Sequence, residues 1–121
     1  MEYREGRTEE ELRSRLRYID EERDTLVRRT REIRQEEEEE EQRLRKEYYD
    51  SEYMREMCTP GDVDMITLLD EKQSILNTMN RQKSDFEDDY KEEIRRQNLR
   101  MNMDEEDILA QISTLQNNED K

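Results

Sequence analysis

Cys58-Thr59-Pro60-Gly61-Asp62 decides how this chain folds. It holds the only proline, and the only glycine outside the extreme N-terminus, where Gly6 is the other. The residues on both sides read as continuous helix. Proline has no amide hydrogen and collides with the turn before it, so a helix arriving from the N-terminal side stops here. A new helix can start at once, with Thr59 as N-cap, Pro60 at the first helical position and Asp62 among the free amides of the first turn. The expected fold is all-α: an elongated antiparallel two-helix coiled-coil hairpin. Helix 1 covers about residues 8–58, the turn 58–62, helix 2 about 62–116, and a polar tail 117–121, in a single domain.

Working outward from the turn tests the reversal. If the chain folds back near residue 60, facing positions carry numbers that sum to about 120, as a hairpin with a short loop requires. Apolar positions at helical spacing pair in this way: Met54 with Ile66, Leu44 with Leu76, Ile33 with Phe86, Leu26 with Ile94, Ile19 with Met101, and Leu12 with Ile108. Polar breaks pair too, Glu37 with Lys83 and Arg23 with Gln97. Two helices that diverge at a kink are the alternative.

Helix 1 opens with a capping box, Thr8 before Glu9, Glu10 and Glu11. Its stripe then alternates steps of three and four through Leu12, Leu16, Ile19, Arg23, Leu26, Thr30, Ile33, Glu37, Glu40 and Leu44. At about 1.5 Å per residue, this helix would extend roughly 75 Å. Glu36 to Glu41 is an unbroken acidic run of good helix formers, a solvated stretch or a surface for a basic partner. In helix 2, Phe86, Tyr90 and Ile94 step by four and four, which reads as a stutter in the supercoil.

Near the turn the apolar residues outnumber what one seam can bury. Tyr48, Tyr49, Tyr53 and Met57 precede it; Met65, Leu68, Leu69, Ile75 and Met79 follow. A two-helix hairpin buries one stripe per helix, so the surplus is expected to form a partner interface. Leu99, Met103 and Leu109 lie off the seam toward the other end and suggest a second contact zone.

Composition sets the outer limits. Of 121 residues, 29% are hydrophobic and 48% charged, too little for a globular core but enough for helices that bury a narrow seam. The net charge of −14 opposes nucleic-acid binding and anionic membranes. No long apolar run marks a membrane span or cleavable signal peptide, so a cytoplasmic location is expected, with any export independent of such a signal. The single cysteine, Cys58, excludes an internal disulfide and reads as a small residue at a helix end.

The chemistry of a catalyst is missing. There is no histidine for acid–base work or zinc, no glycine-rich phosphate loop, and no imidazole beside the cysteine. The carboxylate clusters Asp85-Phe86-Glu87-Asp88-Asp89 and Asp104-Glu105-Glu106-Asp107 lack the histidines of a helical di-metal site and the central glycine of an EF-hand. The expectation is no catalytic residue, no cofactor and no metal.

The chain resembles the small helical-hairpin partner proteins of LXG toxins, which accompany type VII secretion in Gram-positive bacteria. The resemblance spans nearly the whole chain. It rests on a short, Glu-rich sequence with Glu9-Glu10-Glu11-Leu12, the later Glu run, Phe86-Glu87-Asp88-Asp89-Tyr90-Lys91-Glu92-Glu93, and Asp104-Glu105-Glu106-Asp107-Ile108-Leu109. It implies a targeting chaperone that binds the helical N-terminal domain of a toxin, sometimes beside a second small partner. There are departures. The turn is Thr59-Pro60-Gly61, not Trp-x-Gly, and Tyr-x-x-x-acid occurs at Tyr18…Glu22 and Tyr48…Glu52, outside the C-terminal tail. A Phe-x-x-x-Asp motif fails at Phe86 because residue 90 is tyrosine. This implies the partner type that lacks the export signal and serves as a structural companion. Two other readings stay open: a homo-oligomeric coiled-coil scaffold or spacer, homodimer included, and an escort of another secretion apparatus of the flagellar or type III stalk kind.

Overall fold

A computed structural model describes residues 8–119. The chain is all-α, with helix α1 at Glu9–Met57 and helix α2 at Val63–Glu119 packed on one another as a hairpin. Asp120 and Lys121 of the expected polar tail fall outside the described residues. Of the expected polar tail, Asn117, Asn118 and Glu119 are the last residues of α2.

The start of α1 is capped as the sequence indicates. The Thr8 hydroxyl accepts the Glu11 amide at 3.1 Å, and acids fill the first turn beside the positive end of the helix dipole. The cap of α2 falls three residues later than expected. Thr59 belongs to a turn in which the Asp62 amide donates to the Thr59 carbonyl at 3.0 Å. Asp62 is the cap, its carboxylate accepting the Met65 amide at 3.1 Å. Pro60 therefore sits inside the turn, at the corner position its fixed φ suits. Gly61 does not have a positive φ and a Cβ there would meet nothing within 4 Å, so the turn is not of the type that demands glycine.

Packing divides into two units, described in turn. The terminal unit joins residues 8–30 with residues 92–119. Its core is Leu12, Ile19, Met101, Ile108 and Ile112, all buried, with Leu16, Leu26 and Leu115 packed against them. Two polar contacts fix the antiparallel sense. Gln116 donates to Glu9 at 2.9 Å, and Arg23 grips Glu105 at 2.6 Å and Asn102 at 2.7 Å. Arg23 thus pairs beyond the expected Gln97 because the register of this unit differs from the expected one: the numbers of Glu9 and Gln116, and of Arg23 and Asn102, sum to 125 and not 120, and Glu105 lies one turn from Asn102, where a guanidinium fork gains from a charged planar acceptor. The seam of α2 here runs Gln97, Met101, Glu105, Ile108, so the extra step of four lies between residues 97 and 105.

The turn unit is Arg31–Lys91. Leu44, Leu69 and Leu76 are buried, together with two polar residues, Glu37 and Ser51. Ile33, Tyr48, Met65, Ile66, Lys83, Glu87 and Tyr90 are half-buried. The helices are tied by Lys72 to Glu47 at 2.7 Å, Arg55 to Asp70 at 2.9 Å, and the Tyr48 hydroxyl donating to Asn77 at 2.8 Å.

Two expected seam residues lie outside the seam. Met54 is 44% exposed, because only the first turn of α2 reaches its level; Ser51 is sealed instead. Phe86 is 54% exposed. The seam keeps its alternation by passing through Lys83, Glu87, Tyr90 and Ile94, and each residue turns about 100°, which swings Phe86 outward. No stutter therefore exists at Phe86–Tyr90–Ile94. Phe86 instead packs on Tyr90, ring centroids 5.6 Å apart.

Candidate docking surface

The turn unit carries apolar side chains that the hairpin does not cover. Of the residues assigned from sequence to a partner interface, Tyr49, Tyr53, Met57, Leu68, Ile75 and Met79 are exposed. Tyr48 and Met65 are half-buried, the first with its hydroxyl already engaged by Asn77. Leu69 is a correction. At 3% exposure it is a seam residue, seven before Leu76, and cannot meet a partner.

The exposed residues fall on two stripes. On α1, Tyr49, Tyr53 and Met57 follow one another at intervals of four, one turn apart. On α2, Leu68, Ile75, Met79 and Phe86 step by seven, four and seven. That is seam spacing, displaced by one residue from the buried Leu69 and Leu76, and so rotated by about 100° from the hairpin interface. Phe86 is the functional candidate the sequence reading placed in the core. The same heptad spacing from Leu68 could have found it.

A polar cleft of about 330 Å³ lies in the same unit, among Arg34, Glu37, Lys83, Glu87 and Tyr90. Glu37 is buried, and its Oε1 finds no hydrogen-bond partner. Burial, then the neighbouring Glu37 carboxylate, pushes the Tyr90 hydroxyl above its ordinary pKa. Glu87 is held below the usual carboxylate range, chiefly by its hydrogen bond from Lys91. Lys83 approaches Glu87 only to 3.9 Å. These groups form a charged plug inside an apolar seam, of the sort that fixes register at some expense of stability.

The terminal unit offers less. Leu99, Met103 and Leu109 are exposed there, but their steps of four and six put Leu109 on a different side. In the turn unit, Cys58 is a free thiol, half-buried just past the end of α1. Among the described residues no group of three His, Cys, Asp or Glu is placed to hold a metal, and no helix is long and apolar enough to cross a membrane. Comparison with family models, with curated proteins and with solved structures finds no match.

Proposed function

We propose that the chain is a non-enzymatic adaptor, a targeting chaperone that binds the helical N-terminal domain of a secreted LXG-type toxin and helps present it to a type VII secretion system. The observation that carries the reading is the uncovered apolar surface of the turn unit. Exposed apolar side chains on a 48% charged chain have no use in solvent, and a docking face gives them one. Their burial supplies the affinity. Covering Leu68, Ile75, Met79 and Phe86, each about half-exposed, recovers on the order of 4 kcal/mol gross, at roughly 2 kcal/mol for each such side chain buried in full. Ordering and association costs consume a share of that, so Tyr49, Tyr53 and Met57 are needed as well. The acidic surface selects the partner and its register more than it adds affinity. Such an adaptor works in the cytoplasm and can travel with its cargo without a cleavable signal.

The test is coexpression of the tagged chain with the helical N-terminal domain of an LXG toxin from the same cell. Co-elution at fixed stoichiometry, weakened by Tyr49→Ala with Leu68→Ala, supports the reading. Separate elution of the two chains contradicts it.

A further inference from the structure

We infer that the stripe Leu68–Ile75–Met79–Phe86 is the seat of one α-helix of the partner, an amphipathic helix whose apolar positions are flanked by Lys and Arg. The inference rests on the adaptor reading and specifies what the adaptor grips.

Three observations carry it. The first is spacing. Four exposed apolar side chains at steps of seven, four and seven cover 19 residues of α2, about 27 Å, or five turns of helix. Heptad spacing over that length matches knobs from another helix, whereas a strand or an irregular loop would not repeat at this interval. The second is continuity. Each of Leu68 and Ile75 immediately precedes a buried seam residue, Leu69 and Leu76, so the stripe borders the existing interface. Lys72, spaced between Leu68 and Ile75, is tied back to Glu47 of α1 at 2.7 Å. A helix laid along the stripe would thus pack beside the α1–α2 interface as a third member of a bundle.

The third is charge. Between residues 31 and 91 there are nineteen acidic side chains and ten basic ones. Asp64, Glu71 and Asp89 stand three or four residues from stripe members, along its outer edge. Among the described residues, the ion pairs of α2 in this unit use Asp70, Lys72, Lys83, Glu87 and Lys91 and none of those three carboxylates. A second copy of this chain would set acid against acid along the edge. A helix with Lys and Arg beside its apolar stripe answers it.

The experiment uses the full chain and two designed helical peptides with the same leucine heptads, one flanked by lysine and one by glutamate. Titration by calorimetry is expected to show saturable one-to-one binding of the lysine peptide and at least tenfold weaker binding of the glutamate peptide. Ile75→Asp with Met79→Asp is expected to reduce lysine-peptide binding tenfold or more, with the circular dichroism of the chain unchanged. Because these substitutions add negative charge, a loss cannot come from weaker general attraction. Asp64→Asn, Glu71→Gln and Asp89→Asn together are expected to lower affinity for the lysine peptide alone and flatten its salt dependence. Equal binding of both peptides overturns the inference, as does undiminished binding by the Ile75→Asp/Met79→Asp chain. Self-association abolished by those substitutions also overturns it, by giving the stripe to a second copy. If the toxin domain co-elutes equally with the wild-type chain and with Ile75→Asp/Met79→Asp, this inference falls while the adaptor reading stands.

Discussion

Replacing Ile108 by alanine, beside the same replacement at Leu109, asks whether the seam of the terminal unit lies where the packing puts it. The two residues are neighbours in sequence and each substitution deletes three carbons. Ile108 is 3% exposed and Leu109 50%. At about 0.8 kcal/mol per buried methylene, Ile108→Ala loses about 2.4 kcal/mol of transfer free energy. A cavity beside Leu12, Ile19, Met101 and Ile112 adds about 1 kcal/mol, since a two-helix core collapses around a gap more readily than a globular one. Leu109→Ala loses half the transfer term and opens no cavity. Alanine's better helix propensity returns a few tenths, leaving about 1 kcal/mol. Urea unfolding followed at 222 nm should therefore separate the two variants by about 2 kcal/mol. A Leu109→Ala variant as unstable as Ile108→Ala would refute the assignment of the core.

Three further outcomes follow from the same geometry. Asp62→Ala should cost about 1 kcal/mol while Thr59→Ala costs little, because Asp62 and not Thr59 caps α2; thermal melts of the two variants compare them. Ser51→Ala should stabilise by about 1 kcal/mol, since it removes a buried hydroxyl that has no partner and improves helix propensity; a lowered urea midpoint would show that the hydroxyl is satisfied after all. Glu105 is held below its ordinary pKa, chiefly by the hydrogen bond from Arg23. The stabilisation is therefore present above the unfolded carboxylate range and lost as pH falls through the folded value. The stability gap between the wild-type chain and Arg23→Gln should be open near pH 7 and narrow as pH falls below the ordinary carboxylate range, read from urea midpoints at each pH.

The turn, the two helices and most of the seam were legible because they rest on strong local signals. A single Pro-Gly pair interrupts a chain with no other breaker after Gly6, and leucine and isoleucine recur at heptad intervals on both sides. The cap of α2 was not legible to the residue. Thr59 and Asp62 both have the chemistry of a cap, and only the hydrogen bonds of the turn choose between them. The seam was misread where its members are polar. Ser51, Lys83 and Glu87 occupy seam positions, so a reader following hydrophobicity moves to Met54 and Phe86, three residues or one residue away. Leu69 was placed in the partner interface for the related reason that Leu68 and Leu69 are identical in type, and the single-residue offset between seam and exposed stripe is visible only once the seam is fixed. The pairing of Arg23 with Asn102 and Glu105 was not legible because the constant to which facing numbers sum, 125 for Glu9–Gln116 and Arg23–Asn102 and not 120, depends on the turn and on the extra step of four in α2.

The central claim is that the uncovered face of the turn unit exists to hold another protein. The most direct measurement is a mild affinity purification of the tagged chain from its own cells, with mass spectrometry of what stays bound and at what ratio. The account predicts a larger protein with a helical N-terminal region, at near-fixed stoichiometry, lost when Ile75 and Met79 are replaced by aspartate. Recovery of this chain alone, as a stable dimer or larger assembly, would contradict it and make the hairpin a self-assembling scaffold.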